Sequence, residues 1–180
     1  MEQRTKHVFA TLLISLVVVG LAGVIFMYAG VYNVAADKKN GALKTWVLET
    51  VKKSSISSRA GRVTPPDLSG RERLLEGIQA YDQSCSGCHG TPAEEPGAFA
   101  KALNPSAPWI GGIDTPPSDG ALKHWFWATK HGIEMTGMPA WGEMMEDEKI
   151  WSIVAAMREF PDIDEGRYGD LLAEAGTGRG

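Results

Sequence analysis

The chain has 180 residues, a formal net charge of −4 and 43% hydrophobic residues, a length that holds one small domain and an additional segment. The charge is split along it. Residues 1–60 carry eight Lys+Arg against three Asp+Glu, a balance of +5, while residues 61–180 carry ten against nineteen, a balance of −9. An acidic C-terminal part argues against nucleic acid as a partner and favours proteins that present a basic docking face.

The first element is the 25-residue run Val8–Tyr32, which contains no charged residue. About 20 apolar residues suffice to cross a bilayer, and a signal-peptide core is usually about 7–15, so the run reads as an uncleaved transmembrane anchor within an N-terminal segment 1–36. Arg4 and Lys6 precede it and Lys38 and Lys39 follow it, so basic residues alone give no orientation. Gly20, Gly23 and Gly30 fall on one side of the span, a small face of the kind along which transmembrane helices of another subunit pack.

Residues 37–68 follow as a juxtamembrane segment. In 42–53, Leu43, Trp46, Val47 and Val51 share a helical face and the lysines lie elsewhere. A basic amphipathic helix with a tryptophan suits a lipid interface, and equally a neighbouring subunit or the following domain. The Ser-, Gly- and Pro-rich stretch 54–70 reads as a linker. A globular domain is expected over 69–162. Ser69 and Glu72 form a capping pair at the start of a helix reaching Ser84, with Gly77 inside it at a point of close helix approach. Residues 90–118 hold six prolines and read as a long functional loop, with a short helix over 98–103. Helices are then expected from Ser118 or Asp119 to His131 and from Glu146 to Phe160, and the Gly- and acid-rich residues 163–180 as a flexible tail. No strand is expected, so the fold class is all-α.

The chemistry is concentrated in Cys85-Ser86-Gly87-Cys88-His89, which contains both cysteines of the chain. This spacing reads as covalent attachment of one haem c, the thiols adding to the porphyrin vinyl groups and His89 standing beneath the iron as proximal ligand. A structural zinc site would need further ligands at a spacing that His7, His124 and His131 do not supply. Haem of this type is attached outside the cytoplasm, which sets the N-terminus in the cytoplasm and the domain on the far side.

The second axial position separates electron carriers from enzymes and gas sensors, because a strong protein ligand leaves no place for substrate. Met138, between Gly137 and Pro139, is the expected sixth ligand, with Met135 the alternative. His124 and His131 are rivals that would give bis-histidine ligation. Met144 and Met145 read as packing residues. Five tryptophans lie in 109–151. Trp125, Trp127 and Trp141 are expected beside the porphyrin, with the Trp109 indole N–H on a propionate. A backbone carbonyl near Pro96 or Pro105 is expected to hold the second nitrogen of His89.

Together these residues resemble the class I c-type cytochromes over roughly 69–162. The matched features are a first helix with Gly77 and Tyr81, then Cys-x-x-Cys-His-Gly, Asn104-Pro105, Thr136-Gly137-Met138-Pro139-Ala140-Trp141, and a last helix with Trp151. The resemblance implies helices and Pro-rich loops wrapped round one covalent haem, with the first and last helices crossing at Gly77, Tyr81 and Trp151. More narrowly, the anchor and the stretch Tyr32-Asn33-Val34-Ala35 are similar to membrane-anchored monohaem cytochromes of Gram-negative bacteria. This implies a single-pass protein of the inner membrane with its haem domain in the periplasm. There it would carry single electrons between respiratory-chain proteins as a carrier rather than an enzyme. The alternatives are a fixed cytochrome subunit of a membrane oxidoreductase or oxidase complex, and a haem enzyme or gas sensor.

Overall fold

The computed structural model describes residues 2–38, 40–113 and 115–177; among them every regular element is helical. The chain divides into two compact units, 1–38 and 39–180.

The first unit is one helix, α1 (Glu2–Tyr28). Its 27 residues extend about 40 Å at 1.5 Å per residue, enough to span a bilayer as a single-pass anchor, and residues 3–28 have a mean hydropathy of 2.7 in their most apolar window. The helix stops before the apolar run does. Gly30 takes a left-handed conformation (φ 64°) in the turn after Tyr28, so Val31 and Tyr32 lie outside the helix. Gly20 and Gly23 remain on it, whereas Gly30 belongs to its terminating turn and not to a helical small face.

The second unit begins with α2 (Ala42–Ala60). The serines expected in a linker instead complete its last two turns. The Ser55 carbonyl accepts from Ser58 Oγ and from Arg59 Nη1, and Ala60 is fully buried where α2 packs on α6 (Asp119–His131). The open connection is therefore short, residues 61–70.

Three helices frame the core. α3 (Arg71–Ser84) starts after Gly70, whose φ of 108° turns the chain. Ser69 does not cap it; its backbone N–H instead donates to Asp67 Oδ1, and the Ser69 hydrogen bonds hold the Asp67 carboxyl below its usual range. α6 is capped by Ser118, whose Oγ accepts from the Ala121 N–H, and buries Leu122, Phe126 and Thr129 along one stripe. α7 (Asp147–Glu159) is buried from Ile150 to Met157 and ends in a single 3₁₀ turn at Phe160–Asp162, where Pro161 stops it.

α3 and α7 cross at Gly77. A Cβ there would overlap the backbone carbonyl of Ser152 and stand 3.0 Å from Ala156 Cβ. The partner of Gly77 is thus backbone and a small side chain, and not the expected Trp151. Trp151 faces elsewhere and stacks on Phe126, with centroids 4.0 Å apart and planes 9° off parallel. Tyr81 meets the edge of Phe160 at 4.8 Å. Beside the crossing, Ser152 Oγ donates to Glu76 Oε2 at 2.7 Å.

The expected flexible tail is a helix, α8 (Glu165–Thr177), packed on α3. Asp164 caps it by accepting from the Arg167 N–H at 2.8 Å. Tyr168, Leu171 and Ala175 are buried, Tyr168 donates to Asp82, and Arg71 pairs with Glu174. The sequence held this pattern: an Asp cap followed by apolar residues at 168, 171, 172 and 175. Glycine and acid content masked it.

Leu171→Ala should lower stability by about 2–5 kcal/mol, the range for truncating a buried leucine. Gly77→Leu should be at least as harmful, because backbone cannot yield to the new side chain. Thermal melts check both; unchanged midpoints would contradict the packing of α8 and the crossing. The buried phenols add a pH dependence. Burial raises Tyr81 and Tyr168 above the ordinary value of 10.0, so above about pH 10 the unfolded chain releases protons that the folded chain keeps. Stability should be intact below pH 10 and decline as pH rises beyond it. Tyr81→Phe combined with Tyr168→Phe should flatten that decline in urea melts at increasing pH.

Candidate haem site

The Cys-x-x-Cys-His run forms a one-turn helix, α4 (Ser86–His89), set directly on the end of α3. The Cys85 carbonyl accepts from both Cys88 N–H and His89 N–H, at 3.0 and 2.9 Å, and Gly90 N–H closes the turn onto the Ser86 carbonyl at 2.8 Å. Both cysteines are free thiols here. Cys85 is buried, and burial, with Cys88 beside it, pushes that thiol up to about 12.

His89 is held at two points by one segment of the Pro-rich loop. Its Nδ1 lies 2.9 Å from the Pro108 carbonyl, and its own carbonyl accepts from the Ile110 N–H at 3.1 Å. A carbonyl can only accept, so Nδ1 carries the proton and Nε2 presents its lone pair. The acceptor is therefore Pro108, neither Pro96 nor Pro105.

The loop is tightly folded, with a short helix, α5 (Ala98–Ala102), partway along it. Tyr81 reaches from α3 to donate to the Gly90 carbonyl at 2.8 Å. Gly90 is left-handed (φ 68°), and a Cβ there would meet Trp109 at 2.9 Å and Pro96 at 3.0 Å. Thr91 Oγ1 accepts from the N–H groups of Ala93 and Glu94, and the Thr91 carbonyl accepts from the Trp109 indole N–H at 2.9 Å. The indole has a single donor, so in this arrangement Trp109 braces the loop and does not serve a propionate.

The methionine loop follows α6. Gly132 (φ 66°) turns the chain so that Ile133 N–H donates to the Met138 carbonyl at 3.2 Å. Thr136 Oγ1 donates to the Ile133 carbonyl at 2.6 Å and accepts from the Met138 N–H at 3.1 Å. Both backbone polar groups of Met138 are thereby fixed, and its side chain is half-buried. Met135 sits at the tip with φ 58° and is 93% exposed, which places its thioether in solvent. Gly137 brings this loop against the segment after α5, where a Cβ would stand 3.0 Å from Leu103.

The tryptophans divide. Trp109 lies on the loop that holds His89. Trp125 is half-buried against the core, Trp127 tilts against His131 at 4.8 Å, and Trp141 is half-buried in a 3₁₀ turn just after Met138. His131 is exposed and His124 half-buried, and the described residues contain no cluster of three or more His, Cys, Asp or Glu side chains able to hold a metal ion. Met145 packs against the core, whereas Met144 is exposed. The residues missed in the sequence are Pro108 and Thr136. For Thr136 the signal was present, a hydroxyl two residues before a methionine in a Gly-bounded turn; for Pro108 there was none.

These donors fit a covalent iron porphyrin. Two thiols and an imidazole project from a single turn, the imidazole tautomer is set to offer Nε2, and a thioether is presented by a separate, pinned loop. Residues 72–155 match the family model described as cytochrome C oxidase, cbb3-type, subunit III. The match supports a c-type cytochrome domain over these residues. Comparison with curated proteins and with solved structures gives no match. Such a domain implies covalently bound haem c and supports a role in electron transfer, and the N-terminal helix fits a single-pass membrane anchor.

Thr136→Val should free the methionine loop at two hydrogen bonds, each worth about 0.5–1.5 kcal/mol. If Met138 binds the iron of a bound haem, the expected result is loss of the low-spin spectrum at lower temperature or denaturant than in wild type. An unaltered spectral transition would mean that the loop is held by other contacts.

Proposed function

We propose that the protein is a membrane-anchored monohaem cytochrome that passes single electrons between respiratory-chain proteins on the periplasmic side of the inner membrane. Cys85 and Cys88 hold the porphyrin as thioethers, His89 supplies the proximal ligand and Met138 the distal one. The observation that carries this reading is the pair of constraints on the two axial residues: Pro108 fixes the His89 tautomer, and Thr136 and Ile133 fix the backbone of Met138.

Bound haem supplies an iron that cycles between ferric and ferrous states. The chain does the rest. The Pro108 carbonyl makes His89 a better donor and stops its ring from turning. A thioether opposite an imidazole favours the ferrous state, which raises the potential relative to bis-histidine ligation. His89 and Met138 together would occupy both protein-facing positions of the iron and leave none for a substrate, which favours a carrier over a haem enzyme or gas sensor. The acidic haem domain, −9 over residues 61–180, suits partners with a basic docking face. The periplasmic placement rests on where haem is joined to Cys-x-x-Cys-His thiols.

A second reading, a fixed subunit of an oxidase or oxidoreductase complex, is supported by the description of the matching family and by α2. Because α2 packs on the haem domain, the connection between it and α1 is only residues 29–41, with Asn40 already tied to Asn104 at 3.3 Å, less reach than a swinging carrier with a linker through residue 70 would have.

Met138→Ala should abolish the thioether–ferric charge-transfer band at the red end of the spectrum and lower the potential, and Met135→Ala should change neither. Loss of the band in the Met135 variant alone would transfer the ligand role to Met135. Cys85→Ala with Cys88→Ala should leave no haem on a denaturing gel; retained haem stain would refute the attachment.

A further inference from the structure

Helix α2 is exposed all round over residues 42–51 and packs on the domain only through its second half. Its inward side is carried by Lys52, Ile56 and Ala60, of which Ala60 is fully buried and the others half-buried. On the opposite side Leu43, Trp46, Val47 and Val51 fall within an arc of about 140° at 3.6 residues per turn. Their exposures are 74, 65, 42 and 61%. A soluble domain ordinarily turns such a stripe inward.

Two features on this surface identify what covers it. Lys44 and Lys53 border the apolar arc, one on each edge, in the arrangement that lets lysine stems lie along an apolar layer while the ammonium groups reach anionic headgroups. Second, α2 follows the bilayer-spanning helix after residues 29–41, thirteen residues that reach at most about 45 Å fully extended. The charge split acts in the same direction. Residues 61–180, at −9, are repelled by an anionic leaflet, whereas residues 1–60, at +5, are drawn to it.

We propose that the outward face of α2, formed by Leu43, Trp46, Val47 and Val51 between Lys44 and Lys53, lies in the headgroup layer of an anionic bilayer and fixes the orientation of the haem domain to the membrane. The tryptophan sits at the level where indoles concentrate, with one side apolar and the N–H wet. Because the inward side of the same helix packs on α6, seating α2 orients the core that carries the haem turn. The proposal does not depend on which methionine ligates the iron.

The test uses the full haem-loaded chain, one copy per nanodisc, with a photoactivatable diazirine lipid in a phosphatidylcholine–phosphatidylglycerol bilayer. After illumination, mapped adducts are expected on residues 43–51 as well as within α1. Replacing phosphatidylglycerol by phosphatidylcholine should lower the α2 adducts by up to roughly thirtyfold, since two lysines each lose about 1 kcal/mol of attraction to anionic headgroups, and leave those on α1 unchanged. Leu43→Ser with Trp46→Ser should remove the α2 adducts while the haem spectrum stays normal, and Trp46→Phe should retain them. In stacked, oriented membranes the haem resonance of the wild type should vary with tilt angle in the magnetic field, and that of the double-serine variant should not. Absent α2 adducts in the wild type, adducts indifferent to lipid charge, a haem resonance without angular dependence, or protein dimers in place of lipid adducts when two copies share a disc would each overturn the proposal. An abnormal spectrum with normal adducts would count against the haem-ligand reading and leave this one standing.

Discussion

The site depends on the close approach of α3 and α7 at Gly77. The first of these helices delivers the Cys-x-x-Cys-His turn from its C-terminus, and the second supplies most of the buried face of the core. Their separation is set by a position where only hydrogen fits against the carbonyl of Ser152. Any larger residue would push α3 outward, and α4, which continues from it with no intervening loop, would move with it. Aromatic contacts lock the crossing on both sides: Tyr81 on Phe160, and Trp151 on Phe126 of α6. Tyr81 then links the crossing to the site, since its hydroxyl holds the Gly90 carbonyl one residue past His89.

His89 and Met138, the two residues proposed to bind the iron, come from parts of the chain that share no helix, and each is fixed by local hydrogen bonding. His89 is gripped by 108–110 and Met138 by 133–136. Such pre-positioning suits one-electron transfer, because a ligand sphere that does not rearrange between oxidation states adds little to the barrier for the electron. Glycines at 90 and 132 make both grips possible: each takes a left-handed turn in which a side chain would strike neighbouring atoms.

Helix α2 alters the picture of a cytochrome on a flexible leash. A helix that is continuous to Ala60 and packed on α6 belongs to the haem domain, so the tether shortens to the residues before it. A short tether keeps the effective concentration at a membrane partner high and restricts the orientations the haem domain can sample. Both effects trade range for rate.

Much of the protein was legible in the sequence because local chemistry decides it. The anchor follows from an uncharged run, the haem turn from Cys-x-x-Cys-His, α6 from its Ser118 cap and Gly132 stop, and the end of α7 from Pro161. The preference for Met138 over Met135 came from the flanking Gly and Pro; the structure adds that Met135 is exposed at the loop tip and Met138 half-buried. Tertiary structure decided what depends on partners distant in sequence. Gly77 meets Ser152 and Ala156 and not Trp151, because helix crossing angle, and not residue type, selects which turn faces a glycine. Pro108 holds His89 because a carbonyl has the same chemistry at every residue, and only the path of the loop chooses among them. The last helix forms because α3 offers Asp82, Arg71 and an apolar groove to Tyr168, Glu174 and Leu171; on composition alone that segment had too little burial to be ordered.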